Sequence, residues 1–361
     1  MANVTELWVN RENFRDTKIV TLEPTPLQDG QIRVAIDKFG LTANNVSYAL
    51  SGDQIGYWQF FPAEENWGKV PAWSIAEVTE SRCDEIAVGE RLWGFFPMSS
   101  ELVLQPGSIR VDSFTDETAH RQELAALYNQ YRRTGGEPEI LQQLEDERCL
   151  LFPLFLTSYV LMDYFIDNNY FGAEQLVIGS VSSKTGLGLA CLVHGAPAPR
   201  PRVIGITSEA NRDFVMSLGC CDELIHYGNE NDIDATLTTA YVDMSGSGSL
   251  TNTLHHHLTD KLVESCMVGA THWETERRGS DLPGARPTFF FAPGQIAKRD
   301  KEWGAGVLFA KASEASVKLA GKVKDQIRIE RIYGADAASQ IWKDMLDSSV
   351  APSRGIIVSL Q

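Results

Sequence analysis

The stretch VIGSVSSKTGLGLACLVHG, Val177 to Gly195, decides the fold. A short apolar run enters a Ser/Gly-rich turn holding one lysine, and a small-residue amphipathic stretch follows. Two nucleotide-binding turns share this outline. A P-loop, G-x-x-x-x-G-K-[ST], would end on Lys184-Thr185, but its glycine positions then fall on Ile178 and Ser183. The dinucleotide pattern G-x-G-x-x-G/A fits better. Gly186 and Gly188 supply its first two glycines, and its third small position falls on Cys191, beside Ala190. Glycines here permit a tight turn and a close backbone approach to a pyrophosphate, whose charge meets the helix N-terminus. Ser182, Ser183, Lys184, Thr185, Gly186, Leu187 and Gly188 are therefore candidate cofactor-binding residues.

The next strand, RVIGIT, tells one nicotinamide cofactor from the other. NAD enzymes place an acidic residue at its end, on the ribose 2′-hydroxyl. Here Ser208 ends the strand, Glu209 follows, and Arg212 comes one turn later. A hydroxyl with Arg212 and Lys184 nearby suits a 2′-phosphate, whereas Glu209 suits a hydroxyl; the balance points to NADP(H). Further candidates stand at later strand ends: Tyr227 after DELIH, Ser245 and Gly246 after AYVDM, Gly269 after LVESCMV, and Phe291 in PTFFFAP. Ligands of open α/β sheets lie at these carboxyl ends.

The chain has 361 residues, 43 % hydrophobic and 22 % charged, enough for two cores. Its net charge of −16 argues against nucleic acid and anionic membrane surfaces as partners. No run approaches the ~20 apolar residues of a membrane span. The start, MANVTELWVNRENFRD, lacks the basic-then-apolar order of a signal peptide. The six cysteines are scattered without a C-x-x-C pair. These features predict a reduced, cytoplasmic chain without a disulfide framework or zinc knuckle.

Residues 1–110 alternate in the strand manner, as in QIRVAIDKFGL, IAEVTES, RLWGFF and ELVLQPG, and suggest a barrel or sandwich. Residues 112–149 are polar, and ETAHRQELAALYNQYRR and EPEILQQLEDER predict two surface helices joined by a turn. From about residue 150 helices and short apolar strands alternate, which implies an open parallel sheet. The tail predicts strand, helix, strand.

In this order the segments resemble the medium-chain dehydrogenase/reductase superfamily, in its zinc-free quinone- and enoyl-reductase branch. TGLGLA is similar to the family's GGVGLA turn, with Thr185 in place of the first glycine. GKVPAWSIAEVTES with VGERLWGF, SEANRDFVMSLGCCDELIHY, AYVDMSGSG and the closing IYGADAASQIWKDMLDSSVAPSRGIIVSL resemble further family segments. SSKTGLGLA together with FFFAPGQIAKRDKEWG resembles the DUF2855 subgroup. The resemblance implies an α/β chain of two domains. A GroES-like β-barrel domain would take residues 1–149 and 322–361, with the helical insertion at about 112–149. A Rossmann doubly wound parallel sheet would take 150–321. It further implies an active site in the cleft between them and a homodimer joined along the Rossmann sheet edge.

Zinc members of that superfamily carry cysteine and histidine ligands where this chain reads Gly40 to Asn45 and Ala72-Trp73-Ser74, so no metal is expected. The run His255-His256-His257 spreads about 100° per residue round a helix and does not converge on one ion. Without zinc, the developing oxyanion needs another donor. The family's Asn-x-x-x-x-Tyr segment corresponds most nearly to Asn44, Asn45 and Tyr48, with shifted spacing. Tyr48 is the expected proton donor, and Asn44 or Asn45 a polar anchor; a core-packing role for Tyr48 stands beside this. Tyr57, Trp58 and Phe60 are candidate substrate-pocket walls, and Lys298 and Arg299 candidate anion contacts at the end of the sixth Rossmann strand. Core packing and solvent exposure are the competing readings of these two groups. The expected activity is NADPH-dependent, zinc-free reduction of a carbonyl or activated C=C bond in a small molecule. The alternative is a nucleotide-binding regulatory protein that keeps the fold. The G-x-S-x-G elbow of hydrolases is absent.

Overall fold

The computed structural model describes residues 3–268, 282–290 and 292–361. The chain divides into two compact units, Met1–Leu150 with Ile329–Gln361, and Leu151–Arg328.

In the first unit the strand Ile32–Leu41 is the hub. Its alternate residues Ile32, Val34 and Ile36 are buried. It pairs antiparallel with Pro71–Ser81, with Arg354–Ser359 and with Glu101–Leu104. The nine-stranded sheet continues through Arg91–Pro97 and Gln130–Arg133 to Ser113–Asp116. A three-stranded sheet is built round Val4–Asn10. Trp342, on the helix Ala335–Leu346, lies fully buried in this core and donates its indole N–H to the Phe14 carbonyl at 2.7 Å.

The surface helices expected in 112–149 are a point of correction. The segment contributes two strands, Ser113–Asp116 and Gln130–Arg133, to the barrel sheet. Two short helices, Glu139–Gln143 and Glu145–Leu150, follow. The reason is tertiary. Arg121, which looks like a solvated helix residue, is 1 % exposed. Its guanidinium donates to Asp116 Oδ2 (2.8 Å), Asn129 Oδ1 (3.0 Å), Tyr131 Oη (2.9 Å) and the Tyr128 carbonyl (2.8 Å). Tyr131 stacks on Phe114 and fills the space over Gly94, where a Cβ would come within 2.5 Å of its ring. A paired buried charge and an aromatic core outweigh local helix propensity here.

The second unit opens with the helix Phe152–Asp167 and then runs β1 (Gln175–Gly179), α1 (Lys184–His194), β2 (Arg202–Thr207), α2 (Arg212–Leu218), β3 (Glu223–His226), β4 (Thr239–Asp243), α3 (Gly248–Leu258), β5 (Leu262–Met267), β6 (Thr288–Phe289) and α4 (Ala292–Trp303). The strands are parallel and lie in the order 3-2-1-4-5-6. This is the doubly wound arrangement, with the order reversing between β1 and β4. Val177, Ile204, Ile206, Ile225 and Tyr241 bury one sheet face against Leu250, Leu254 and Leu258 of α3. Gly188 lets α1 lie close to Phe152–Asp167, since a Cβ there would come within 2.5 Å of Ser158 Oγ and 2.8 Å of Phe155.

The expectation of a chain without disulfides is also corrected. Cys191 and Cys220 form one, tying α1 to the segment after α2. Cys191 stands at the third small position of the glycine motif, so the pairing joins residues that are far apart in sequence but adjacent on the sheet face. Spacing alone carries no sign of it.

Arg121→Met should destabilise the barrel unit by about 3–5 kcal/mol, because it leaves Asp116 buried and unpaired. Thermal unfolding checks this, and the loss should exceed that of the double change Arg121→Met with Asp116→Leu.

Candidate dinucleotide site and barrel aromatic cluster

The turn after β1 is built to carry backbone rather than side chains. Ser180 holds a left-handed conformation (φ 53°), and Val181 N–H donates to the Ile206 carbonyl at 3.0 Å, which pins the turn against β2. Ser183 caps α1, its Oγ accepting from Gly186 N–H at 3.2 Å. A Cβ on Gly186 would come within 2.9 Å of the Ser180 carbonyl oxygen and 3.1 Å of Val181 Cα. Gly186 is thus required by a close approach of backbone to backbone. Leu187 is buried, and Thr185 gives its carbonyl to Ser158 Oγ at 2.8 Å. Lys184 is the first residue of α1, and desolvation lowers its ammonium pKa to about 8.

Around this turn the ends of β2 and β3 bring further groups. Ser180 Oγ and Tyr227 Oη lie 2.6 Å apart, and Asn211 Nδ2 reaches Ser182 Oγ at 3.4 Å. Glu209 pairs with His226 Nε2 at 3.0 Å, and Arg212 faces Asp213 at 3.9 Å. The Ser208 backbone is extended and leads into the turn Glu209–Asn211. Ser180, Asn211 and His226 were missed by sequence reasoning. All three are polar residues at the carboxyl ends of strands or just beyond them, and that position was the available signal.

At β4, Asp243 is fully buried. Its carboxylate accepts from Ser245 N–H (3.0 Å), Gly246 N–H (2.8 Å), Ser245 Oγ (3.2 Å) and Thr251 Oγ1 (3.3 Å). Ser245 and Gly246 accordingly form the turn that leads to α3. Gly269 and Phe291 lie outside the described residues.

In the barrel unit, the helix Ala43–Leu50 places Asn44, Asn45 and Tyr48. Asn45 is 3 % exposed and fully committed. Its Oδ1 accepts from Thr42 N–H at 2.7 Å and its Nδ2 donates to the Pro71 carbonyl at 2.9 Å. Its expected role as a polar anchor is corrected to a capping and strapping role. The Tyr48 hydroxyl accepts from Trp73 Nε1 at 3.3 Å and also feels the Asn44 side chain. Burial pushes the Tyr48 phenol far above its ordinary pKa, and neighbouring Tyr128 adds to this. Tyr48 packs among Tyr57, Phe60, Phe61, Trp73 and Phe95. Tyr57 Oη and Tyr128 Oη are 3.0 Å apart.

Trp58 departs from its two neighbours. Its indole fills the space over Gly52 and Gly68, where added Cβ atoms would lie 2.2 and 2.4 Å from it, and it belongs to the barrel core. Lys298 and Arg299 also stand elsewhere than expected. The strand β6 ends at Phe289, and both residues lie on α4. Arg299 pairs with Asp163 (2.7 Å) and Asp167 (3.0 Å) and stacks on Trp303, while Lys298 pairs with Asp167. These cations fasten α4 to the helix Phe152–Asp167. Both also face Glu302 on their own helix, but the partners that fasten α4, Asp163 and Asp167, lie more than a hundred residues upstream, out of reach of sequence inspection.

The three histidines diverge. His255 bonds the Pro283 carbonyl and Ser265 Oγ, His256 the Asn252 carbonyl, and His257 the Ile233 carbonyl. Among the described residues no group of three or more His, Cys, Asp or Glu side chains is arranged to hold a metal, and no helix is long and apolar enough to cross a membrane.

No curated protein matches the chain. Solved structures match over nearly its whole length at low identity. CurA from Vibrio vulnificus in complex with NADPH has a TM-score of 0.63 at 12 % identity, with 99 % of each chain covered. The CurK enoyl reductase has a TM-score of 0.60 at 13 % identity, with 99 % of each chain covered. The yhdH oxidoreductase from Salmonella enterica in complex with NADP has a TM-score of 0.52 at 12 % identity, covering 100 % of this chain and 99 % of the other. The family model "Protein of unknown function (DUF2855)" matches residues 39–351. The chain belongs to the DUF2855 family and has the fold of the medium-chain dehydrogenase/reductases, a GroES-like barrel together with a Rossmann sheet.

Proposed function

We propose that the protein is an NADPH-dependent, zinc-free reductase acting on a carbonyl or activated C=C bond of a small organic substrate, working as a homodimer. The observation that carries this reading is the Gly186 cradle at the switch point of a 3-2-1-4-5-6 sheet. There the turn backbone and the first turn of α1 approach so closely that only hydrogen fits. Such a turn suits a pyrophosphate laid against the backbone N–H groups of a helix N-terminus. In this reading Ser182, Ser183 and Lys184 face the pyrophosphate, while Ser208, Arg212 and Tyr227 take the phosphorylated ribose. The fold's neighbours include structures solved with NADPH and with NADP, which is consistent with the same cofactor here.

The bound nicotinamide would supply the hydride. The chain's own contribution is a held proton. Burial keeps the Tyr48 phenol protonated throughout the ordinary pH range, and in this reading its hydroxyl is the proton source. The Trp73 indole N–H donates to that hydroxyl at 3.3 Å, and the surrounding aromatic rings bury it.

Titrating the protein with NADPH and NADH, by fluorescence and thermal shift, tests the cofactor reading; binding of neither overturns it. Affinity for NADPH should also carry the signature of Lys184. Below pH about 8 its ammonium is charged with or without ligand. Above that pH the free protein has lost the proton and must regain it to bind, so affinity should fall as pH rises through about 8. Lys184→Met should abolish this slope and weaken binding by about 1.5–3 kcal/mol.

Tyr48→Phe should bind NADPH as the wild type does. It should lose NADPH-dependent turnover by about 10²-fold or more across a carbonyl, enone and quinone panel. Unchanged turnover would remove Tyr48 from the chemistry.

A further inference from the structure

The pairing of Glu209 with His226 changes what an acidic residue after β2 means. Left to itself, a carboxylate here accepts the ribose 2′-hydroxyl and repels a 2′-phosphate. In this chain Glu209 Oε2 lies 3.0 Å from His226 Nε2. At that separation the imidazole and the carboxylate are in ion-pair contact. The two residues belong to neighbouring strand ends, since Thr207, two residues before Glu209, sits directly opposite His226 in the β2–β3 register. The imidazole is largely enclosed, with 26 % of the side chain exposed, whereas 80 % of the Glu209 side chain reaches solvent.

A second observation concerns the inner side of the same pair. His226 Nδ1 and Thr207 Oγ1 are both buried, and neither finds a partner among the described residues. A buried polar atom without a partner costs stability. The imidazole is therefore held at a cost on its inner side, with Glu209 as the partner on its outer side. Nearby, the ion-pair contact of Arg212 among the described residues is a long one, 3.9 Å to Asp213, and 44 % of its side chain is exposed. The end of β2 thus brings together a carboxylate in contact with an imidazole and a half-exposed guanidinium.

We propose that His226 is a selectivity-determining residue that occupies Glu209 and so lets this site accept a 2′-phosphorylated nucleotide despite its acidic residue. This rests on the cofactor reading above and deepens it. Glu209 is the residue that would disfavour the phosphate, His226 the residue that offsets it, and Arg212 the cation that receives it.

The test compares two probes of the adenosine half, 2′,5′-ADP and 5′-AMP, by calorimetry on the full chain. Wild type, Glu209→Gln, His226→Ala and the double variant are each titrated. Glu209→Gln should raise the preference for 2′,5′-ADP over 5′-AMP, and His226→Ala should lower it. The Glu209→Gln change should be about tenfold, the scale of one partly screened charge contact, and the His226→Ala change smaller and opposite in direction. In the double variant the His226 change should have no further effect, because the carboxylate it occupies is gone. A preference unchanged in both single variants, or moved the opposite way, overturns the proposal while leaving nucleotide binding intact. Failure of the wild type to bind either probe overturns the cofactor reading itself. Matching unfolding temperatures without nucleotide establish that the variants are folded, and the exposed Glu209→Gln variant remains informative if His226→Ala unfolds.

Discussion

The second unit depends on one close approach, that of the turn Ser180–Ser183 to the first turn of α1. Hydrogen is the only substituent that fits at Gly186, because the Ser180 carbonyl and Val181 Cα are already there. Everything that lines the crest is placed by that contact. It fixes Ser180 for Tyr227, Ser182 for Asn211, and Lys184 at the start of the helix. Gly188, two residues on, sets α1 against Ser158 and Phe155 on the opposite flank. Two glycines therefore position the helix on both sides, and the sheet order puts its N-terminus at the switch point.

The barrel unit organises its polar groups differently. Here the hydroxyls of Tyr48, Tyr57 and Tyr128 sit inside an aromatic cluster rather than at a strand end. Low polarity around them strengthens each hydrogen bond and keeps the phenols protonated. Tyr128 comes from the segment 112–149, whose buried Arg121 anchors it through the Tyr128 carbonyl and stacks on Phe61. The segment is thus part of the cluster's scaffold and not a covering on it.

Most of the Rossmann unit was legible because its signals are local. Val177–Gly195 carries strand, turn and helix in one stretch, and the ends of β1, β2 and β4 are marked by Gly179, Ser208 and Asp243. What was not legible depended on partners distant in sequence. Arg121 and Arg299 look like solvated cations until Asp116 and Asp163 are placed against them. Cys191 and Cys220 look like unrelated thiols until α1 and the end of α2 are adjacent. Asn45 looks like a site residue until Thr42 and Pro71 consume its amide. In each case the residue type was informative about chemistry and silent about its partner. Asn44 stands one helical turn before Tyr48, and Asn45 is turned into the cap.

The hub strand Ile32–Leu41 has a partner in Arg354–Ser359, and Gln361 reaches back to the Ile36 carbonyl across 325 positions of sequence. During synthesis the whole Rossmann unit is made between these two segments. That unit can fold from contiguous chain while one edge of the hub strand still waits for its partner. The barrel must close late, by a contact of very high sequence separation, which is the slow kind. Until then an apolar strand edge stays open, and that nascent interval is when the chain is most exposed to mispairing.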